Sequence, residues 1–205
     1  MKNCIFCESI KDFYKIFETK NFLIILDKFP IIPLHILIIS KQHDSCLGEI
    51  DNIDNIEELI LIKSFIKSKF NNMCFYEHGK TGNCAILLDS KCEHFHLHCL
   101  PLDICIHNEL EYYYNFLELK SLKEIYKYYN ENGNYLFFEN HKQEKKFYIE
   151  GDTITPSSFI RGLICNKLNL LNRSNWQHYK NNNIFDESKN LIKKINFNNF
   201  NEFIF

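Results

Sequence analysis

The sequence predicts an α+β fold, with an antiparallel sheet of about five strands and flanking helices, and two local patterns indicate it. Residues 13–18 and 22–28 are β-rich runs separated by a short polar segment, which is typical of a hairpin. Residues 59–70 repeat apolar side chains at spacings of three and four, as an amphipathic helix does, with Asp54 or Asn55 as the expected N-cap. Antiparallel strands interrupted by helices define the α+β class.

Three further strands are predicted in the first half of the chain, at residues 34–40, 73–76 and 95–100. Residues 77–93, between the last two of these strands, are predicted to form a loop near the functional site. This loop contains a possible short strand at 85–88.

We predict a catalytic domain over residues 1–105 and a C-terminal extension over residues 106–205 that packs on it. The extension is expected to contain a helix at 121–129, a hairpin of 135–138 with 146–149, and a helix that begins at Thr155 and Pro156. Aromatic residues in the last segment predict that the tail docks on the rest of the chain: Phe197, Phe200, Phe203 and Phe205.

Charge and cysteine content exclude some classes of function. The 26 acidic and 24 basic residues nearly cancel, which argues against an extended nucleic-acid-binding surface because that needs a basic surplus. The start of the chain has no long apolar run, and the most apolar stretches are too short to cross a bilayer, so we expect a cytoplasmic protein. The nine cysteines are then expected as thiols and metal ligands rather than as a disulfide framework.

The most informative segment is HFHLHCLP, which places His94, His96 and His98 at alternate positions. Because side chains alternate faces along a strand, the three imidazoles are expected on one face. Neutral imidazoles offer proton acceptors, metal ligands and a nitrogen nucleophile near neutral pH. From this pattern alone, a strand of histidines that binds a metal is the alternative to a catalytic one.

A second motif is formed by Cys4 and Cys7, whose spacing allows two thiolates to bind one tetrahedral zinc. A redox motif is expected after a strand at the start of a helix, and no strand is predicted before this pair. Since the sequence has no second pair of this kind, a zinc needs other ligands, for which His35, His43 and the histidine strand are candidates. A pair of exposed free thiols is the alternative.

Four motifs, in order along the chain, resemble those of the histidine triad (HIT) family of nucleotide hydrolases and transferases: Cys4-x-x-Cys7, Asp27, PLHILIISKQH at 33–43 and HFHLHCLP at 94–101. The resemblance covers residues 4–101 in the family's order and spacing. Residues 75–79 look like the Phe-Glu-His-Gly of one bacterial-type branch, and the helix beginning at Pro156 is more weakly similar to that branch's C-terminal helix. The resemblance implies a HIT-like fold and suggests a homodimer.

The resemblance also implies roles for individual residues. His96 matches the family nucleophile, which attacks the α-phosphorus and forms a covalent nucleotidyl-histidine that water then cleaves. His98 and His35 match residues that contact the phosphates and support the nucleophile. Asp27 matches a carboxylate that accepts hydrogen bonds from the ribose, although without the family it is simply a solvated acid at a strand end.

Zinc-bearing members of the family bind the metal through residues that match Cys4, Cys7, His43 and His94. Four protein ligands make a closed site, so the implied zinc is structural.

Two positions depart from the family pattern. Leu34 stands where the family usually has glycine before the first conserved histidine. Lys91 stands where the family often has a serine or threonine that helps the leaving group, so either Lys91 or the neighbouring Ser90 is a candidate for contacts with phosphate.

Together these residues predict a hydrolase whose partner is a nucleotide substrate, not a membrane or an extended nucleic acid. The expected reaction is cleavage of a nucleoside phosphoanhydride or phosphoramidate, such as a dinucleoside polyphosphate. A nucleotide-binding protein with little turnover and a nucleotidyltransferase or phosphorylase stay open as alternatives. His98 favours hydrolysis, because the transferase and phosphorylase branches tend to carry glutamine at the matching position. The remaining histidines, including His78, are interpreted as loop or surface residues.

Overall fold

The computed structural model describes residues 4–8, 12–81, 85–87, 90–91, 94–156, 158–176, 182–197 and 199–203. Its main feature is an antiparallel sheet covered by helices, which confirms the α+β prediction. In the described residues, eight strands form this sheet: β1 Lys15–Glu18, β2 Phe22–Leu26, β3 Ile36–Ser40, β4 Cys74–Glu77, β7 His96–Leu100, β8 Asn115–Glu118, β9 Tyr135–Glu139 and β10 Lys145–Ile149. Their order across the sheet is β1-β2-β3-β7-β4-β9-β10-β8. A separate two-stranded ribbon consists of β5 Ala85–Leu87 and β6 Ser90–Lys91.

The five strands predicted in the first half are present, and the second half adds three more to the same sheet. The join lies between β4 and β9, where Phe75 is opposite Glu139 and Tyr76 is opposite Phe138. Pairing with β9 gives β4 a hydrogen-bonded neighbour in place of an exposed edge. The predicted hairpin in the second half is confirmed as β9 with β10.

Seven helices accompany the described strands: α1 Ile5–Glu8, α2 Ile53–Lys67, α3 His107–Glu111, α4 Glu124–Asn132, α5 Phe159–Lys167, α6 Asn182–Ile192 and α7 Phe200–Phe203. Two predicted helix starts are wrong. Helix α2 is capped by Asn52, whose side chain accepts a hydrogen bond from the Asp54 amide, so the cap is neither Asp54 nor Asn55. Helix α5 is preceded by Ser158 in a left-handed conformation, and not by Thr155 and Pro156.

The sheet is buried on both faces. Alternate residues of β9 enter different apolar clusters: Tyr135 and Phe137 pack with α2, while Leu136 and Phe138 pack with α5. Burial on both sides explains why this strand reads as an uninterrupted apolar run instead of an alternating one. No helix in the described ranges has the length and apolar character needed to cross a membrane.

The aromatic tail docks on the first half of the chain, as predicted for three of its four residues. The Phe197 ring stacks on Phe17 with centroids 5.9 Å apart, and the Phe200 ring meets the buried Phe65 at 5.2 Å. The Phe203 ring, which is 42% exposed, also meets Phe65 at 5.3 Å, whereas Phe205 lies outside the described residues. The chain end therefore covers the face of the sheet that also carries α2.

We expect Phe200→Ala to lower the free energy of unfolding by about 3 kcal/mol, because truncating a buried phenylalanine removes apolar contacts and leaves a cavity. Urea denaturation measures this change. Phe203→Ala is the matched control, since its half-exposed ring should cost less than about 1 kcal/mol. Equal losses in the two variants would show that the tail does not dock as described.

Candidate functional site

The site forms around β7, which lies between β3 and β4 in the middle of the sheet. His96 and His98 are half-buried on one face of β7, and Leu97 and Cys99 are fully buried on the other. The predicted alternation of the histidine strand is therefore present for these two rings. His94 lies just before the strand and is buried.

The orientation of the His96 ring is set by a hydrogen bond to the backbone. Its Nδ1–H donates to the His94 carbonyl oxygen over 2.7 Å. This bond assigns the proton to Nδ1 and leaves Nε2 with its lone pair. The ring lines a cleft, so Nε2 is a candidate nucleophile.

Asp27, His35 and His98 form a chain of polar contacts beside His96. The Asp27 Oδ2 atom lies 3.2 Å from His35 Nδ1, and His35 Nε2 lies 2.9 Å from His98 Nδ1. The Ile31 amide donates to His35 Nδ1 over 3.3 Å, which favours a proton on His35 Nε2 and therefore one on the outer nitrogen of His98. The contact between the two rings therefore fixes the orientation of His98 and leaves its outer N–H as a hydrogen-bond donor.

Burial keeps these imidazoles neutral at pH 7. It lowers the pKa of His35 to about 4, although the Asp27 carboxylate acts in the opposite direction. Burial also lowers the pKa of His96 and that of His98. A neutral ring is the form in which an imidazole is a nucleophile or donates a single proton.

The N-terminal cysteines meet two histidines on the other side of His96. The ligand atoms of Cys4, Cys7, His43 and His94 all lie within 4.8 Å of one another, so the group can hold a metal ion. Cys4 Sγ is 3.4 Å from His94 Nδ1, and Cys7 Sγ is 3.2 Å from His43 Nδ1. His94 Nε2–H donates to the Ser40 carbonyl over 2.8 Å, which leaves its Nδ1 lone pair towards the thiols.

The cleft has an apolar wall and a polar wall. The apolar wall includes Phe6, whose ring is 5.2 Å from the His96 ring, and Phe29, whose ring is 5.2 Å from Trp176. The polar wall contains two triad histidines and the polar residues around them: Asp27, Lys28, Tyr76, His78, His96, His98, Ser158 and Arg161. Ser158, Arg161 and Trp176 come from the second half of the chain, so both halves build the cleft.

Several of these residues were not predicted. His78 lies in the loop after β4, as predicted, but it also lines the cleft, and Tyr76 stacks on His98 with centroids 4.2 Å apart and the rings nearly parallel. Arg161 and Trp176 have no local pattern that marks them as functional. The resemblance of the helix after Pro156 was the signal that could have pointed to Arg161.

The two departures from the family pattern have different outcomes. Leu34 has φ of 62°, a left-handed conformation that glycine adopts without strain, so the chain keeps the glycine-like turn before His35 with a leucine in it. Its amide donates to Ser188 Oγ over 2.9 Å. Ser90 and Lys91 form the backbone of β6, but their side chains lie outside the described part of the structure, so the phosphate contact stays a prediction.

Comparison with known proteins gives a match to the HIT domain over residues 10–104. An uncharacterized HIT-like protein from Chlamydia trachomatis is 50% identical over 40 residues, which are 20% of this chain and 36% of that protein. Another uncharacterized HIT-like protein, from Chlamydia muridarum, is 48% identical over 40 residues, which are 20% of this chain and 32% of that protein. The chain thus matches about a third of the length of these curated relatives.

Two solved structures match over about half of the chain. A hypothetical histidine triad nucleotide-binding protein from Sulfolobus tokodaii is 27% identical, with 48% of this chain and 68% of that chain covered and a TM-score of 0.36. A HIT family hydrolase from Clostridium thermocellum is 28% identical, with 51% of this chain and 96% of that chain covered and a TM-score of 0.35.

We expect the buried neutral state of His35 to make the protein less stable in acid. The folded pKa of about 4 lies below the ordinary 6.5, so the stabilisation is complete above pH 6.5 and is lost as the pH falls to 4. The loss attributable to this ring is about 3 kcal/mol. Urea denaturation of the wild type and of His35→Gln between pH 4 and pH 8 measures it. The variant should show a flatter dependence below pH 6.5, and parallel curves would contradict the neutral assignment.

Proposed function

We propose that the HIT domain of this chain, matched over residues 10–104, binds a nucleotide and hydrolyses the bond between its α-phosphate and a leaving group. The observation that carries this proposal is the His96 ring, whose Nδ1–H is bonded to a backbone carbonyl so that Nε2 is left as a nucleophile in the cleft. A covalent nucleotidyl-histidine divides one difficult displacement into two easier ones.

In the first step, His96 Nε2 forms a bond to the α-phosphorus and the bond from that phosphorus to the leaving group breaks. The ring gains positive charge, which the hydrogen bond from Nδ1 to the His94 carbonyl stabilises. His98 lies beside His96 with ring centroids 4.9 Å apart, and its outer N–H donates to a phosphate oxygen or to the leaving group.

In the second step, water forms a bond to the phosphorus, the bond from phosphorus to His96 breaks, and the proton that water loses passes to the solvent. The His96 ring thereby returns to its neutral form, and the 2.9 Å contact between His35 and His98 holds the His98 ring in the orientation in which its outer N–H can donate to a phosphate oxygen. Hydrolysis in two steps restores the free His96 ring and releases a nucleoside monophosphate.

The nucleoside part of the substrate is proposed to lie against the apolar wall. Asp27 lines the cleft and is assigned to the ribose hydroxyls, since one of its carboxylate oxygens accepts only the Phe29 amide at 2.8 Å among the described contacts. Ser90 is assigned to the phosphate end of the nucleotide, on the family pattern alone.

We also propose that Cys4, Cys7, His43 and His94 bind a structural zinc. Two sulfur and two nitrogen donors within 4.8 Å fit the tetrahedral preference of zinc, and the Ser40 carbonyl orients His94 as an outer hydrogen-bond partner. A bound zinc would hold α1 against the start of β7. Because the His94 carbonyl anchors the His96 ring, this group would help to position the nucleophile.

We expect His96→Ala to lower kcat for nucleotide hydrolysis by at least about 1,000-fold, because no covalent intermediate can form. A panel of nucleoside phosphoanhydrides and phosphoramidates measures this, and mass spectrometry of rapidly quenched wild-type protein should find a nucleotidyl adduct on His96. His141→Ala is the control, since that ring lies outside the cleft. Tight nucleotide binding with equal turnover in wild type and His96→Ala would favour a binding protein instead. Cleavage that requires inorganic phosphate would favour a phosphorylase.

We expect about one zinc per chain in protein prepared without chelators, and little in Cys4→Ser or Cys7→Ser. Elemental analysis by mass spectrometry measures the metal directly. Cys165→Ser is the control, because Cys165 is a free thiol that lies outside every group of described residues that could hold a metal ion. Wild-type protein without zinc, or equal zinc in all three variants, would refute the ligand assignment.

A further inference from the structure

Three buried polar atoms along the cleft have no hydrogen-bond partner in the described structure. They are Tyr76 Oη, His78 Nε2 and an outer guanidinium nitrogen of Arg161. All three residues line the same cleft. Buried polar atoms are almost always hydrogen-bonded in folded proteins, so three unpaired ones at one place indicate a ligand that supplies the missing partners.

Arg161 is the central member of this group. Its residue is only 4% exposed, and its Nε–H donates to the Arg173 carbonyl over 2.7 Å. Within the described ranges no carboxylate forms an ion pair with it. A buried cation without a counter-ion is costly, and an anionic ligand would remove that cost.

The neighbouring groups are donors as well. Burial raises the pKa of Tyr76 well above its usual value, so its hydroxyl stays protonated and can donate. Burial is the largest cause that lowers the pKa of His78 to about 3, with the positive charge of Arg161 acting in the same direction, so this ring is neutral and can present one N–H. A guanidinium, a hydroxyl and an imidazole N–H together suit phosphate oxygens.

The position of this group relative to the triad decides which phosphate it would meet. His94 belongs to the candidate metal group on one side of His96, and on the other side Tyr76 stacks on His98 while the His78 ring lies 6.3 Å from His98. The order across the site is therefore His94, His96, His98 and then the three unpaired donors. These donors lie beyond the nucleophile on the His98 side, where we have placed the leaving group.

We propose that Arg161, Tyr76 and His78 form a binding subsite for the phosphate groups of the leaving group. The proposal rests on the proposed hydrolase function and names its substrate class: the leaving group is a phosphate chain, as in a nucleoside or dinucleoside polyphosphate, and not an amine. Negative charge on such a leaving group grows as its bond to the α-phosphorus breaks, so the cation stabilises the transition state. Arg161 comes from α5, and the C-terminal half thereby sets specificity.

The first test is binding of inorganic tripolyphosphate, measured by calorimetry at fixed ionic strength. We expect Arg161→Gln to weaken binding by about 10- to 100-fold and Tyr76→Phe by about 5-fold. Tyr76→Phe keeps the ring that stacks on His98 and removes a hydroxyl without a partner, so its melting temperature should not fall. Arg161→Lys restores part of the affinity and controls for misfolding of Arg161→Gln. Lys167→Gln removes a positive charge from the same helix, where it binds Glu109 outside the cleft, and should leave affinity unchanged.

The subsite would be overturned if the wild type did not bind tripolyphosphate. It would also be overturned if folded Tyr76→Phe and a folded Arg161 variant, either Arg161→Lys or Arg161→Gln, bound tripolyphosphate as tightly as the wild type does. Affinity that falls equally in Lys167→Gln would also overturn it, because a general charge effect would then explain the result.

The second test compares cleavage of a dinucleoside polyphosphate and a nucleoside phosphoramidate that share the same nucleoside. We expect Arg161→Gln to lower kcat/KM about 100-fold for the first and less than about 10-fold for the second. Equal losses for both substrates would refute the leaving-group assignment. If the wild type cleaves neither while tripolyphosphate binding still depends on Arg161, the hydrolase proposal fails and the anion subsite is retained.

Discussion

The pairing of β7 with β3 on one side and β4 on the other is the constraint on which the rest of the site depends. His98 is opposite Leu37 of β3 and opposite Tyr76 of β4, so the register of both pairs sets where its ring lies. A slip of one residue would exchange the two faces of β7 and put Leu97 in the cleft. The fully buried Leu97 opposes that exchange, because it would lose its apolar contacts.

The second half of the chain completes the cleft as well as the sheet. The Tyr135 hydroxyl donates to the buried Glu77 carboxylate over 2.8 Å, next to the junction of β4 and β9. The Arg173 guanidinium donates a hydrogen bond to the Ile31 carbonyl over 2.6 Å. The Arg173 backbone carbonyl in turn accepts a hydrogen bond from the Nε–H of Arg161. These contacts tie α5 to the loop before His35. They explain how a residue far along the chain reaches the triad.

Local patterns were sufficient for most strands and for the triad. The hairpin of β9 and β10 was predicted because two short apolar runs flank a polar turn, and the Cys4 and Cys7 group because its spacing is that of metal ligands. The starts of α2 and α5 were wrong because caps depend on single side chains such as Asn52, several of which compete along the sequence. The predicted sheet lacked the strands of the second half, because no local sequence pattern shows that β9 pairs with β4.

The sequence by itself determined that His96 and His98 share one face of β7, because the alternation of His96, Leu97 and His98 follows from strand geometry alone. It also determined the α+β class and marked Cys4 and Cys7 as candidate metal ligands. Only the tertiary structure decided that Tyr76, His78 and Arg161 meet beside His98. The physical reason is that an unpaired buried donor is a property of the whole packing: each of these residues looks ordinary in its own segment. Its missing partner becomes apparent only when the sheet and α5 are assembled.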